Sequence, residues 1–204
     1  MSGRFEPLPG GGAAIALDEV EISILRSLAM QLAELIGPGD QPAGDDDDPL
    51  AALFAEGPSK PPEDPALARL FPDAYSPPDR ELGAREEKEA REASAEFRRF
   101  TENDLRARKR DDALTVVRDL DALGSGSSGG APGVLELAPE KSGRWLGALN
   151  DLRLAIGTRL EVTDEDDGGE LLRLPDSDPR KPMVMAYFWL GGLQETLIET
   201  LLPE

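Results

Sequence analysis

Between Asp18 and Gly37 the apolar residues Leu25, Leu28, Leu32 and Leu35 return every three or four positions, the spacing that holds them on one face of an α-helix. Asp18 is placed to cap that helix, Glu21 three positions on completes a capping box, and Gly37-Pro38 stops the run. Ahead of it, residues 4–8 and 13–17 are short segments joined by Pro9-Gly10-Gly11-Gly12. Ile15 and Leu17 alternate there with small alanines, which predicts a half-buried strand in a hairpin. The same order returns later: residues 134–137 read as a strand, and Pro139 sets the first turn of a helix with Trp145, Leu149, Leu152 and Ile156 on one face, ended by Gly157. Segments 14–37 and 134–157 align without a gap, matching Leu17 to Leu137, Leu32 to Leu152, Ile36 to Ile156 and Gly37 to Gly157. This echo hints that two strand-helix units pair through their strands in one small sheet.

The remaining pattern is more charged. Asp48-Pro49 and Asp64-Pro65 each put a capping acid before a proline at the first helical position, so residues 50–54 and 66–71 read as brief helical turns. From residue 79 to about 110 the chain is helix-forming, with Ala90, Ala93, Phe97, Phe100 and Leu105 marking one narrow apolar side. Residues 113–123 carry Leu114, Val116, Val117, Leu120 and Leu123, and either continue that helix or follow a kink at Asp111-Asp112. Asp178-Pro179 opens the last helix, where Met183, Tyr187, Leu190, Leu197 and Leu201 recur at positions suited to one partner face. Val184, Phe188, Trp189 and Leu193 make its first half apolar nearly all round, which calls for burial in the domain or in an oligomer interface. Residues 38–48, 124–132 and 163–177 read as flexible segments, the first an acidic loop and the second a Gly-Ser linker, while residues 159–174 read as either a weak hairpin or loop. The expected fold is a mainly α single domain over residues 1–204, with four to five principal helices around one core and a two- or three-stranded β element.

Composition narrows the function. The 204 residues suit one domain, and Leu, Ile, Val and Phe form about 24 % of them, above the roughly 20 % below which a highly charged chain stays unfolded. Lys and Arg number 22 against 41 Asp and Glu, a formal charge of -19. Eight of those acids sit in the runs at residues 45–48 and 164–167, so part of the charge belongs to loops. Such a field repels nucleic-acid phosphates unless a strong basic patch is present. The best candidate patch is Arg98, Arg99, Arg106, Arg108, Lys109 and Arg110, but residues 96–112 interleave five acids with these six bases, as on a solvated helix laced with ion pairs. There is no histidine and no cysteine, which excludes disulfides, imidazole or thiolate metal sites, and every triad that uses histidine as base. The amino terminus shows no charged region followed by an apolar stretch. The longest uncharged apolar stretch, residues 182–194, is short of the roughly 20 residues that span a bilayer, so a cytoplasmic protein without membrane contact is expected.

Three motifs lose their meaning in context. Gly124, Gly126 and Gly129 spell a dinucleotide fingerprint, but a helix precedes them and a strand follows, the reverse of what a pyrophosphate cradle requires. Ser128 sits in a nucleophile-elbow pattern with no histidine to serve it. The run at Asp164 begins like a calcium loop but puts Gly168 at the fifth position and Pro175 where a bidentate glutamate is needed. No catalytic, cofactor or metal residue is therefore assigned, and no cofactor is expected. The candidate polar cluster is Trp145, Asn150, Arg153, Tyr187, Trp189 and Gln194. Asn150 and Arg153 stand one turn apart beside the apolar face of their helix, and Gln194 interrupts the inward repeat of the last helix where it can hydrogen-bond either of them.

Residues 64–75 (DPALARLFPDAY), 97–105 (FRRFTENDL), 145–157 (from Trp145 through Asn150-Asp151-Leu152-Arg153 to Gly157) and 187–195 (from Tyr187 to Gln194-Glu195) together resemble an uncharacterised actinobacterial family known only as a domain of unknown function. The resemblance spans nearly the whole chain. It implies a regulatory role and a gene commonly placed beside that of the Clp protease adaptor ClpS, and it supplies no catalytic residues. The expected function is a non-enzymatic cytoplasmic interaction or regulatory protein. The Clp adaptor or protease is the candidate partner on the strength of the resemblance alone, and a homodimer through the C-terminal helix is the other. The alternatives are a transcription regulator using the 97–110 helix on DNA, and a carboxylate-based enzyme.

Overall fold

A computed structural model describes residues 3–38, 57–75, 83–126, 132–163 and 169–202. The expected helical turn at 50–54 and the acidic runs at 45–48 and 164–167 lie outside these residues.

The hairpin forms as the alternation predicts. β1 (Glu6–Pro7) and β2 (Ala13–Leu17) pair antiparallel, with Glu6 opposite Ala14. Their turn includes Gly12 at φ 92°, where a Cβ would stand 2.3 Å from the Leu137 carbonyl oxygen, so no other residue fits there. β3 (Gly133–Leu137) joins the other edge of β2, antiparallel, from Ala13 opposite Leu137 to Leu17 opposite Gly133. The two strand-helix units of the internal echo therefore do share one sheet, in the order β1-β2-β3. Ala13, Ile15 and Leu17 on β2, with Leu135 and Leu137 on β3, turn their side chains into the core.

α1 (Glu19–Ile36) has the expected capping box: Asp18 accepts from the Glu21 amide at 2.8 Å, and Glu21 accepts from the Asp18 amide at 3.0 Å. α2 (Pro65–Leu70) is capped by Asp64, which accepts from the amides of Ala66 and Leu67. α3 (Ala84–Gly126) is one helix of 43 residues, so Asp111-Asp112 makes no break and the helix runs on into the first glycines of the Gly-Ser stretch. α4 (Pro139–Arg159) passes through Gly157 and stops two residues later, where the Leu160 amide bonds back to Ile156. A short α5 (Gly169–Leu172) stands where a hairpin or loop was expected. α6 (Lys181–Leu201) starts later than Asp178-Pro179: Asp178 accepts from the Arg180 amide in a turn just ahead of the helix.

The core lies where α1, α3, α4 and α6 meet the inner face of the sheet, and α2 packs on α4. Trp145 is fully buried at its centre, with Phe5 edge-on at 6.2 Å. Its indole Nε1 donates to Asp119 on α3 at 3.0 Å.

Two expected faces are corrected. On α6 the buried residues are Val184, Leu190, Leu193 and Leu197, while Met183 and Leu201 stay exposed. On the first half of α3 the apolar side faces out: Phe97, Phe100 and Leu105 are 47, 66 and 37 % exposed. Ser94, Arg98 and Glu102 are buried in their place.

Candidate functional site

Asn150 and Arg153 of α4 face α6 at a close crossing. Gly157, one turn on, is what allows it, since a Cβ there would come 3.1 Å from the Tyr187 ring. Tyr187 fills that space, and the Arg153 guanidinium lies over its ring at 5.2 Å from the centroid. Gly191, one turn along α6, faces the same guanidinium. Gln194 closes the row. Its Oε1 accepts from Arg153 Nη1 at 2.6 Å and its Nε2 donates to Asn150 Oδ1 at 3.4 Å. Four of the six candidate residues, Asn150, Arg153, Tyr187 and Gln194, thus form one network at the α4–α6 crossing.

The other two stand elsewhere. Trp145 anchors the core against Asp119 and Phe5. Trp189 is half-buried on another side of α6, and its Nε1 has no acceptor among the described residues.

Beside the network opens a hollow of about 720 Å³, with Val162, Leu171 and Phe188 as its apolar lining and Arg153, Gln194 and Glu195 as its polar lining. Among the described residues no carboxylate pairs with Arg153, and its Nε has no acceptor. The arrangement can hold a planar anion or an amide beside a cation on an aromatic ring. Among its described lining residues the one hydroxyl, that of Tyr187, is not hydrogen-bonded to Glu195, Glu199 or another base, so the arrangement suits binding rather than covalent chemistry. A second hollow, of about 450 Å³ between α1, α4 and α6, is walled by Ile24, Leu28, Leu35, Leu152 and Met183, and its Arg159 is held by Asp64 at 3.1 Å. Among the described residues no group of three or more acidic side chains is placed to hold a metal ion.

The polar architecture missed by the residue pattern is a buried ion network. Glu102, 2 % exposed, accepts from Arg98 Nη1 and, at 2.8 Å, from Arg106 Nε. Arg98 Nη2 reaches Asp73 at 2.8 Å and the Phe71 carbonyl at 3.0 Å. Arg106 lies over the Phe71 ring at 4.4 Å, and its Nη1 donates at 2.7 Å to the Ile36 carbonyl at the end of α1. That helix has no basic residue in its own last turn, so Arg106 supplies the cation its C-terminus favours. Further along α3, Lys109 donates to Asp151 of α4 at 2.6 Å. Burial pushes the Asp151 carboxyl above the usual range, against the pull of Lys109. It does the same to the neighbouring Asp112, with Arg144 opposing. The signal was present as the spacing of Arg98, Glu102 and Arg106 at four-residue intervals, which reads equally well as surface ion pairs.

These features define a mainly α single domain with a three-stranded sheet and a polar-lined hollow at the α4–α6 crossing. The chain belongs to the family DUF2017, a domain of unknown function, whose family model matches residues 2–201. It is 31 % identical over 183 residues to a protein of Mycobacterium leprae named putative oxidative stress regulator AosR, covering 89 % of this chain and 79 % of that one. It is 30 % identical over 200 residues to the oxidative stress regulator AosR of Mycobacterium tuberculosis, covering 98 % of this chain and 86 % of the relative. No solved structure matches the chain.

Proposed function

We propose that this protein is a non-enzymatic cytoplasmic regulator that works by binding protein partners, with a role in the response to oxidants. The observation that carries the reading is likeness over nearly the whole chain to proteins named as oxidative stress regulators. The chain has no cysteine, so its own response does not pass through thiol oxidation or a disulfide. It acts by contact, receiving an oxidant signal from a partner or shaping one. No helix among the described residues is long and apolar enough to cross a membrane, which suits that role. The test is deletion of the gene in its host. Oxidant survival and the transcript profile under peroxide should both change and be restored by the wild-type chain. An unchanged response in both would end the proposal.

The Clp adaptor or protease is the partner implied by the gene neighbourhood of the resembling family. Purified ClpS and protease subunits retained on the immobilised protein support that link, and repeated absence of retention removes it. The alternative of DNA binding through residues 97–110 is weakened because Arg98, Arg106 and Lys109 are committed to internal partners. DNA binding that falls steeply with salt would restore it. The carboxylate-enzyme alternative has two acids with raised pKa values, Asp112 and Asp151. They are 8 and 3 % exposed, and Asp151 is bonded to Lys109, so they act as buried counter-charges.

A further inference from the structure

The outward side of the first half of α3 has the form of an interface. Ala90, Ala93, Phe97, Phe100, Asp104 and Ala107 follow the alternating three- and four-residue spacing of a coiled-coil seam. Phe97, Phe100, Asp104 and Ala107 are exposed and Ala90 and Ala93 half-buried, a stripe that flanks the face on which Ser94, Arg98 and Glu102 meet the body. Phe97 and Phe100 are 47 and 66 % exposed, and Tyr75, itself 52 % exposed, stands edge-on to Phe97 at 6.1 Å. Three neighbouring exposed aromatic rings on a highly charged chain mark a contact surface.

The charge order along the helix names the occupant. Residues 84–96 carry three basic and five acidic side chains, and residues 97–110 carry six basic and two acidic ones, of which Arg98, Glu102, Arg106 and Lys109 are engaged within the domain while Arg108 and Arg110, with Asp104, are exposed. Two copies laid antiparallel about the Phe97–Phe100 step would set the acidic end of each against the basic end of the other. In that register Phe97 of one copy meets Phe100 of the second, Ala90 meets Ala107, and Ala93 meets Asp104. Beside the seam, Glu87 and Glu89 of one copy come next to Arg108 and Arg110 of the other. All four are exposed, and among the described residues the two glutamates pair within their own helix, with Arg91 at 4.0 Å and Arg85 at 2.9 Å. A parallel pairing would set acid against acid and base against base.

We infer that the protein forms an antiparallel homodimer through the Phe97–Phe100 face of α3, a surface distinct from the α4–α6 cleft and from the C-terminal helix. A two-fold contact of this kind is self-complementary by construction.

Sedimentation velocity on the full chain across the micromolar range tests it. The wild type should sediment as a dimer that weakens as salt is raised, and Phe100→Glu should be monomeric with an unchanged helical signal and a melting temperature that no longer rises with protein concentration. The charge-reversed variants Glu87→Arg/Glu89→Arg and Arg108→Glu/Arg110→Glu should each be monomeric alone and form a dimer when mixed. The lack of native cysteine permits an orientation test as well: Ala93→Cys mixed with Asp104→Cys should cross-link on oxidation, and neither should cross-link alone. A monomeric wild type, a dimer that survives Phe100→Glu, failure of the mixed reversals to pair, or cross-linking of Ala93→Cys with itself would each overturn the inference.

Discussion

From residue 113 onward the inward face of α3 is Ala113, Val116, Val117 and Leu120, all buried against the sheet and its neighbouring helices. From residue 94 to 106 the inward face is Ser94, Arg98, Glu102 and Arg106, which meet Asp73, the Phe71 carbonyl and the end of α1. One continuous helix is therefore held at one end by the hydrophobic effect and at the other by desolvated charge. The apolar end gains from every buried methylene, an attraction that depends on close packing but on no directional partner. The charged end gains only while every partner is in place, because each ion carries a desolvation cost that its counter-ions must offset. Its apolar residues are left free to face outward, where the dimer contact uses them.

The largest expected effect is at the apolar end. Leu120 is fully buried, and Leu120→Ala should cost about 4 kcal/mol, near the upper part of the range for leucine truncation in a rigid core. Because this part of α3 meets the sheet, α1 and α4, the loss should appear as a lower melting temperature of the whole domain. Chemical denaturation followed by circular dichroism measures it, and a cost below about 1 kcal/mol would show that the packing is not tight there.

At the charged end, Glu102→Ala leaves Arg98 and Arg106 without their shared carboxylate. A broken buried pair costs about 3–5 kcal/mol, and the lower figure is expected because Asp73 still holds Arg98. Arg98→Met with Glu102→Leu should recover part of the loss, since two apolar groups of similar volume need no counter-ion, while Arg106 and Asp73 still lack the partners they had. Recovery in the double variant separates the two ends of the helix: at Leu120 no polar replacement can restore what truncation removes. Hydrogen exchange gives a finer reading. Glu102→Ala should speed exchange in residues 84–110 while residues 113–120 keep their protection, and uniform loss along α3 would show that the two ends open as one unit.

The same contrast explains what could be read from the residues alone. Where apolar spacing decides burial, the pattern was sufficient: the Asp18 cap, the Leu25 and Leu32 face of α1, the pairing of the two strand-helix units and the Trp145 face of α4 are all present. It failed on α3, where Phe97 and Phe100 were the natural inward residues. Whether Arg98 and Glu102 lie in or out depends on Asp73, Phe71 and Ile36, which are distant in sequence, and no local period carries that information. In the α4–α6 cleft the Gln194 contact was legible because a polar residue broke an apolar repeat. The fit of Tyr187 against Gly157 was not, since a glycine inside a helix reads first as its end.

A smaller effect concerns pH. Asp151 has a carboxyl pKa raised by burial, so its ionisation favours the unfolded chain. Its contribution is fully favourable below the ordinary aspartate value of about 4 and is lost as pH rises through the raised folded value. Asp151 faces Lys109 and Asn150, with Arg108 further off and Asp112 adding a like charge. Asp151→Asn should therefore gain stability relative to the wild type as pH rises from about 4 toward neutrality, less whatever Lys109 loses with its partner. Asp64 and Asp111 act in the opposite sense. Amide donors at the start of α2 hold the first low and Arg144 the second, so both contribute stability that is lost as pH falls below the ordinary range. Asp151→Asn losing stability relative to the wild type as pH rises over that window would refute the assignment.

The smallest effect is expected where charges remain on the surface. Arg85 pairs with Glu89 at 2.9 Å, four residues apart near the start of α3, and their side chains are 91 and 62 % exposed. This is the same residue pairing and spacing as Arg98 with Glu102, differing almost only in burial. Exposed pairs of this kind contribute about 0.3–0.5 kcal/mol, because water already solvates both charges and salt screens them. Arg85→Ala should therefore change the denaturation midpoint barely above error, and added salt should erase the change. A cost approaching that of Glu102→Ala would mean that the start of α3 is covered in solution, by the second copy if the dimer forms. Repeating the measurement on monomeric Phe100→Glu distinguishes the cases, since only a cost created by dimer burial would fall back to the surface value there.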